Sequence, residues 1–349
     1  GLHGGISKNG VLTISLGELK GDEILRGDKS MLKSKKNLLA ATVAFFVGSG
    51  ASGVMAQEKI GAEEHRGIDE IVVTAQKREQ RLIDVPISIE ALGEEKIKDF
   101  GITGLGDLAR VVPNVSIRSL SDSNQTIVIR GVSNNTGLSA LVGIYMDEVP
   151  LSFNPQIQAN LQPIDIQRLE VLRGPQGTLY GQGSTGGTIR YITNNPSFDG
   201  FEGEIGASAS TMTDGDTSSE VRATLNVPVI DDHLAFRLAT SYNDRGGWID
   251  QPDIDKKDVN DSQKFHVRIK GLWHATDDLS ISAMAIRARN ELGGLSSSAN
   301  AIGADGGTYY RTIIRNGLPL ASTANTHETD IYNLTLNYNF GFATLTTSS

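Results

Sequence analysis

The chain has 349 residues, a formal net charge of -9 and no cysteine. The negative balance argues against nucleic acid as a partner, because nucleic-acid phosphates are bound by basic faces. The absence of cysteine excludes disulfides, thiolate metal sites and a cysteine nucleophile within this sequence. Glycine is frequent, at 39 residues, and proline is sparse, at 10, which suits a β-rich chain with many tight turns.

Residues 31–56 have the pattern of a secretory signal peptide. Lysines follow Met31, an apolar run occupies residues 38–47, and cleavage is predicted after Ala56. The apolar run has about half of the ~20 residues that a membrane-spanning helix needs. The alternative to a signal peptide is that these residues form a buried helix hairpin of a soluble protein. With Met31 as the predicted start, residues 1–30 are interpreted as a non-native upstream extension. An exported chain with no later spanning helix is periplasmic, secreted or in the outer membrane.

Residues 84–196 are predicted to form a compact α+β domain, preceded by a flexible tail at 57–83. Helical spacing links Ile97 with Phe100, and then Leu105 with Leu108. Short apolar, β-branched runs predict strands. These strands are expected at residues 87–91, 115–118, 126–130, 142–146, 168–172 and 188–193.

Residues 197–349 change to long segments in which apolar and polar residues alternate. The segments exceed the ~5–6 residues of an ordinary strand and match the ~10 of a tilted membrane strand. One face of each suits lipid and the other a watery lumen. The alternative is a secreted β-sandwich. Strands are predicted at 201–212, 217–229, 233–244, 263–276, 279–290 and 328–340, with another starting at 342.

The predicted fold class is therefore an α+β domain followed by antiparallel transmembrane β-barrel strands. Lipid does not tolerate the unpaired edges of an open sheet. The chain is accordingly expected to contain only the first part of a barrel.

A series of motifs carries a family resemblance. Residues 69–75 read DEIVVTA, and residues 84–89 read DVPISI. IRG at 129–131, VGIYMD at 142–147 and RLEVLRGP at 168–175 follow, the last with TLYG at 178–181. In this order they resemble the TonB-dependent outer-membrane receptors. The resemblance implies a bacterial outer-membrane protein, in contact with lipid, whose α+β domain plugs the lumen of a barrel of about 22 strands.

The resemblance also implies that residues 69–75 are the TonB box, the segment that binds TonB. A short, extended, β-branched segment can add as a strand to the exposed edge of another protein's sheet. The alternative is an ordinary first strand of the plug. The residues predicted to bind TonB are Asp69, Glu70, Ile71, Val72, Val73, Thr74 and Ala75.

Two plug arginines, Arg130 and Arg173, each precede a glycine at the end of a predicted strand. The resemblance suggests that they pair with acids on the barrel wall and hold the plug in place. Pairing within the plug is the alternative. Plug turns and close packing are predicted at Gly131, Gly174, Pro175, Gly181, Gly186 and Gly187. For Gly183, Gly186 and Gly187, tight turns and close packing against the wall are expected.

Residues 181–186 match the dinucleotide-binding fingerprint literally, but strand-forming residues follow them where that motif needs a helix. No catalytic set is present, and no cofactor is expected. His266 and His274 lie on one strand face without an evident third ligand, so they are interpreted as lumen residues and no metal site is predicted.

The predicted function is energised uptake of a scarce small-molecule nutrient, by default an iron chelate of the siderophore type. Vitamin B12, haem, oligosaccharides and other plant or algal compounds are alternative cargoes within the same family. A passive porin or surface adhesin would need neither a plug nor a TonB box. An exported hydrolase is disfavoured by the missing nucleophile and base.

Overall fold

The computed structural model describes residues 2–6, 11–16, 71–119, 125–133, 140–151, 161–181, 183–212, 215–250, 255, 257–293, 314–315, 318–319 and 325–349. The predicted signal peptide at 31–56 lies outside the described residues, as do Asp69 and Glu70 of the predicted TonB box. Among the described residues, no helix is long and apolar enough to cross a membrane.

Two short strands lie near the beginning of the chain. β1 (Leu2–Ile6) and β2 (Val11–Leu16) pair antiparallel. They fall within residues 1–30, for which no strand pattern is predicted. The interpretation of residues 1–30 as a non-native extension stays a prediction.

The plug is an α+β domain built on a sheet in the order β10-β9-β12-β11-β5. The central pair β9 and β12 is parallel, and the other pairs are antiparallel. Smaller sheets join β3 with β4 and join β6, β7 and β8. The elements are β3 (Val72–Val73), β4 (Gln80–Arg81), β5 (Ile89–Gly93), α1 (Glu94–Asp99), α2 (Leu105–Val111), β6 (Val115–Ser119), β7 (Gln125–Ile129), β8 (Val132–Ser133), β9 (Val142–Met146), β10 (Val149–Pro150), β11 (Ile166–Arg173), α3 (Gly177–Tyr180) and β12 (Gly187–Thr193).

Local chemistry accounts for the two longer plug helices. In α1 a Glu94–Lys98 ion pair of 2.8 Å spans one turn. At the start of α2 the Asp107 carboxylate accepts hydrogen bonds from the backbone N–H groups of Thr103, at 2.8 Å, and Gly104, at 3.2 Å. These bonds satisfy donors that a helix start leaves free. In α2 the predicted Leu105 and Leu108 are both buried, whereas in α1 only Ile97 is buried, because Phe100 follows the helix end and is exposed. The strand predicted after the glycine motif is present at residues 187–193.

The wall is a long antiparallel sheet, formed mainly by strands that follow the plug in the chain and completed by β1 and β2. Its order is β1-β2-β13-β14-β15-β16-β17-β20-β21 within the described chain. A two-stranded pair, β18 and β19, lies outside this sheet. The strands are β13 (Glu202–Thr211), β14 (Thr217–Ile230), β15 (Leu234–Arg245), β16 (Ser262–His274), β17 (Leu279–Leu292), β18 (Ile314–Arg315), β19 (Leu318–Pro319), β20 (Asn325–Asn339) and β21 (Thr344–Ser348).

The wall strands lie where alternation predicts them. The largest difference is at the start of β20, predicted at 328 and observed at 325. On β15 the inward Ala235 and Ala239 are buried against the plug side, whereas the outward Phe236 and Tyr242 are exposed. The same alternation turns Trp273 of β16 outward. Strands that separate lipid from a lumen have an outer face that is apolar and an inner face that is not uniformly so.

Two glycines at the start of β12 pack within the plug, which corrects the predicted packing against the wall. A Cβ on Gly187 would lie 2.4 Å from the Leu172 carbonyl oxygen, and one on Gly186 would lie 2.9 Å from a Val132 methyl group. Both neighbours belong to the plug, because Leu172 lies on β11 and Val132 on β8. Gly131, Gly174 and Gly181 have φ of 80°, 105° and 66°, a region that favours glycine.

We expect Gly187→Ala to destabilise the plug by about 3 kcal/mol or more, because the new methyl group meets backbone and the φ of +155° is strained. Gly106→Ala is the matched control. Gly106 lies inside α2 with nothing within 4 Å of an added Cβ, so alanine should stabilise by roughly 0.5–1 kcal/mol. Urea-dependent hydrogen exchange of plug amides measures both effects, and equal stability of the two variants would contradict the packing described.

Candidate functional site

The described part of the predicted TonB box, Ile71 to Ala75, is seated on the plug. Val72 pairs with Arg81 and Val73 with Gln80, in the two-stranded sheet of β3 and β4. The Leu82 N–H donates to the Ile71 carbonyl oxygen at 2.8 Å and extends this pairing. Val73 and Ala75 are 0% and 1% exposed, whereas Val72 is 42% exposed. One face of the box is therefore buried in the plug core, and the other faces away from it.

A buried carboxylate, Glu170, holds the box through its backbone. Its Oε1 accepts from the Thr74 N–H at 3.1 Å and from Arg168 Nε at 2.8 Å, and its Oε2 accepts from Arg190 Nη1 at 2.6 Å. Arg168 and Glu170 share a face of β11, and Arg190 is the residue opposite Glu170 on β12. A fully buried carboxylate is stable only with such partners.

The Arg168–Glu170–Arg190 cluster also binds the box through a side chain. The Thr74 hydroxyl accepts hydrogen bonds from Arg168 Nη2 at 3.1 Å and from Arg190 Nη1 at 3.2 Å. Hydrogen bonds that involve charged groups are stronger than neutral ones. Thr74 is thus the box residue with the most direct link to the plug sheet.

Two tyrosines close the other side of the seat. The Tyr180 hydroxyl donates to the Ala75 carbonyl oxygen at 2.7 Å, and the Tyr145 hydroxyl donates to the Tyr180 carbonyl oxygen. Lys77 and Arg190 lie over the Tyr180 ring, at 4.6 and 5.3 Å from its centre. Burial raises the pKa of both tyrosine hydroxyls, so each keeps its proton and remains a donor.

A second set of contacts joins the plug to the wall. Arg237 of β15 donates to both carboxylate oxygens of Asp165, at 2.7 to 3.1 Å. Arg268 of β16 donates to the Asp165 carboxylate at 3.2 Å and to the carbonyl oxygens of Asp165 and Ile164 at 2.8 and 3.0 Å. Asp165 and Arg268 are almost fully buried, at 3% and 2% side-chain exposure. One plug carboxylate therefore binds two wall strands.

A neighbouring contact repeats this arrangement. Lys270 of β16 donates to Asp147 Oδ2 at 3.0 Å and to the Thr193 hydroxyl at 2.8 Å. Burial alone would raise the pKa of Asp147, but the Lys270 ammonium and the N–H and hydroxyl of Thr193 hold it below its ordinary value. Asp147 and Asp165 have φ of 50° and 53°, in the left-handed region that aspartate tolerates better than most residues.

The plug–wall ion pairs of Asp165 with Arg237 and Arg268 and of Asp147 with Lys270 have acids on the plug and bases on the wall. A longer pair, Lys98 of α1 with Glu204 of β13 at 4.0 Å, has the reverse polarity. The predicted plug-lock residues lie elsewhere. Arg173 donates to the Pro113 carbonyl oxygen at 3.2 Å and lies 3.7 Å from Glu90, so both partners are in the plug. Arg130 is exposed at the end of β7. A wall-locking role for the two arginines stays a prediction.

Sequence reasoning assigned no role to the residues that hold the box on the plug or join the plug to the wall. Glu170 and Tyr180 fall inside the quoted motifs RLEVLRGP and TLYG, and Asp147 ends VGIYMD. The sequence also contained a signal for the wall residues that bind the plug, because Arg268 and Lys270 are charged residues at alternate positions on the predicted lumen face of β16.

The two histidines of β16 differ in setting. His266 is 2% exposed on the inner face, and His274 at the strand end is exposed with its Nδ1 3.1 Å from the Asp232 carbonyl oxygen. Within the part of the chain that the structure describes, no three His, Asp or Glu side chains come together as a possible metal site.

Known proteins share these features. A family model described as TonB-dependent Receptor Plug Domain matches residues 81–188. The pesticin receptor of Yersinia pestis is 36% identical over 129 residues, which are 36% of this chain and 19% of that protein. The vitamin B12 transporter BtuB of Vibrio vulnificus is 28% identical over 192 residues, covering 54% of this chain and 30% of that protein.

The fold has solved counterparts as well. The crystal structure of the ferric yersiniabactin uptake receptor FyuA from Yersinia pestis superposes with a TM-score of 0.61 at 24% identity, over 72% of this chain and 38% of that one. The chain thus spans less than two fifths of the length of these relatives. At this identity the likeness shows the fold.

A plug seated against long antiparallel strands with an apolar outer face defines a plugged outer-membrane β-barrel protein. The match over residues 81–188 and the relatives named above indicate a TonB-dependent outer-membrane receptor.

Asp165→Asn should loosen the plug from the wall by about 3–5 kcal/mol, because it leaves the buried Arg268 without a carboxylate. Asparagine tolerates the left-handed backbone, so the change removes the charge and one acceptor without straining the chain. Glu328→Gln is the matched control. Glu328 also faces two arginines, Arg287 and Arg289 at 3.7 and 3.6 Å, but all three are about half exposed. The control should cost at most about 1 kcal/mol. Urea midpoints of plug exchange compare them, and equal midpoints would contradict the assignment.

Glu170→Gln should release the box, because the Thr74 N–H and both arginines lose a buried carboxylate. With about 1.5–3 kcal/mol lost per charged hydrogen bond, we expect the Thr74 amide to exchange at least roughly tenfold faster. Glu90→Gln serves as the control, since Glu90 faces Arg173 in the same plug sheet without contacting the box. Unchanged exchange at Thr74 in the Glu170 variant would show that the cluster does not hold the box.

Proposed function

We propose that this protein is a receptor that takes up a scarce nutrient across the outer membrane, with energy delivered by TonB through residues 69–75. TonB would bind the box, draw it from its seat and transmit force to the plug. The proposal assigns the chain no catalytic activity, in keeping with relatives that are named as receptors and transporters.

The observation that carries the proposal is how little sheet holds the box. β3 has two residues, and its sheet contains only β4 within the described chain. Its other edge is unpaired there, and Val72 is exposed. A strand with an open edge can add to a partner's sheet. The remaining hydrogen bonds join plug side chains to the Thr74 N–H and hydroxyl and to the Ala75 carbonyl oxygen, and they can break while the plug sheet stays intact.

For the cargo we propose an iron chelate of the siderophore type. Relatives are named for the ferric yersiniabactin of FyuA and for the ferripyoverdine of a Pseudomonas aeruginosa receptor. Another relative is an iron-regulated outer membrane virulence protein of Vibrio cholerae. Vitamin B12 is the second candidate cargo, because the relative BtuB is named as its transporter. Haem or an oligosaccharide would fit the same TonB-coupled uptake. A passive porin is the alternative outside this class.

Cells that lack their own receptors and produce this protein provide the test. Labelled ferric yersiniabactin, ferric enterobactin and vitamin B12 are the probes, and uptake is measured with and without a protonophore. The proposal expects at least one probe to accumulate only while the proton gradient persists. Accumulation that survives collapse of the gradient would favour a porin.

Val72→Pro should abolish uptake of that probe while surface binding is retained, because proline removes the backbone donor that strand addition needs. Val72→Thr keeps the β-branched side chain and the donor, so it should transport like the original. Retained uptake by the proline variant would overturn TonB coupling through this segment.

A further inference from the structure

The outer face of the wall carries a charged patch where β17 and β20 pair. On β17 the buried Ile286 and Ala288 pack into the core with plug residues, so the residues that alternate with them point outward. Across the register, Arg287 is opposite Asp330 and Arg289 is opposite Glu328. All four side chains are 43% to 59% exposed. The patch therefore consists of two basic and two acidic rungs on the outside of the wall.

The charged patch is level with apolar side chains on the neighbouring strand. Phe265 of β16 is opposite Arg289, and Val267 is opposite Arg287. Charged side chains on the lipid face of a barrel strand are unfavourable, and more so towards the middle of the membrane. The patch therefore calls for a polar or charged partner rather than for lipid chains.

The ion pairs within the patch are loose. Arg287 lies 3.7 Å from Glu328 and 4.0 Å from Asp330. Arg289 lies 3.6 Å from Glu328, and all three distances are longer than a hydrogen bond. Glu291, 2.6 Å from Arg289, brings the patch to three negative and two positive charges. The surplus negative charge disfavours lipid phosphate as the occupant, whereas a patch with both signs suits a surface with both signs.

Next to the charged patch, the same two strands set large side chains beside small ones. Tyr332 of β20 is 75% exposed, and Leu334 is 44% exposed. In the register they are opposite Ala285 and Ala283 of β17. The outer face therefore projects along β20 and is shallow along β17 at the same level.

We propose that the outer face of β17 and β20, residues 283–291 and 328–334, is the interface of a dimer of this receptor. Two copies in one membrane have the same orientation, so a two-fold axis between them is parallel to the membrane normal. Such an interface is isologous, which places β17 of one copy opposite β20 of the other. The inference concerns assembly and depends neither on the cargo nor on TonB coupling.

The patch is complementary to itself under this symmetry. Arg287 of one copy faces Asp330 of the other, and Tyr332 of one copy faces Ala285 of the other. Strand tilt displaces these contacts by about one strand spacing, roughly 4.8 Å, which a long side chain can span. Charge and shape therefore match twice, once on each side of the axis.

Charge reversal on either side of one contact tests the dimer. The original receptor should have the mass of a dimer in lipid nanodiscs. Arg287→Asp alone and Asp330→Arg alone set like charges opposite each other across the interface, so each variant should lose the dimer and run as a monomer.

Production of the two variants together, with different tags, separates contacts between chains from contacts within one chain. Each copy then carries the charge that the other copy lacks, so a mixed dimer should form and carry both tags. The pair within each chain stays broken, so it cannot account for the recovery, and the recovery also shows that both variants fold. Two differently tagged copies of Arg287→Asp are the matched control and should not co-purify.

A cross-link locates the interface independently. The chain has no cysteine, so Ala285→Cys introduces a thiol beside the proposed axis. Leu225→Cys is the matched control, because the register carries the level of Ala285 across β16 and β15 to Leu225 on the outer face of β14. A short bis-maleimide, added to isolated outer membranes, should link the Ala285 variant into a product of twice the mass and leave the Leu225 variant monomeric.

Four results would overturn the dimer. These are a monomeric original receptor, a mixture of charge variants that stays monomeric, and cross-linking of both cysteine variants or of neither. Phosphorylated lipid that co-purifies with a monomer and is lost on Arg287→Asp would assign the patch to lipid instead. A cross-linked product of another mass would assign it to a different membrane protein, and either finding would also overturn the dimer. Uptake enters none of these measurements, so the proposed function stands or falls separately.

Discussion

The carboxylate of Asp165 joins the two parts of this structure. It lies at the turn before β11, the strand that also carries Arg168 and Glu170, and it binds Arg237 and Arg268 on two wall strands. A buried charge of this kind fixes position, because every displacement leaves an ion without a partner. The orientation of β11 against the wall, and hence of the seat beneath the box, depends on this contact.

The wall strands that follow the plug could be predicted from the sequence, because their physics is local, whereas β1 and β2 of the same sheet could not. A strand between lipid and a lumen must alternate, and Phe265, Ile269 and Trp273 alternate with His266 and Lys270 over the whole of β16. The plug helices could be predicted for the same reason, since Ile97, Leu105 and Leu108 mark helical faces that are buried. The pairing of β9 with β12, which are about 45 residues apart in the chain, carries no such local pattern.

The site was predictable only in part, because its contacts join distant residues. The motif indicated the box, but its seat depends on Glu170 and Arg190, which lie 96 and 116 positions from Thr74. The short plug–wall ion pairs of Asp147 and Asp165 have the opposite polarity to the one expected from Arg130 and Arg173. A charged residue on a strand face shows that it needs a partner, but not which element supplies the opposite charge.

The pairing of β3 with β4 has a mechanical consequence. The two strands are antiparallel, so the N-terminal end of β3 lies beside the C-terminal end of β4, where the chain continues into the plug. A pull on the chain before Ile71 therefore opens the pair from that end. The bond between Leu82 and Ile71 is loaded first, then the Val72–Arg81 pair, then Val73–Gln80. Bonds that break one after another yield at a lower force than bonds sheared together, so a small pull from that end separates β3 from β4.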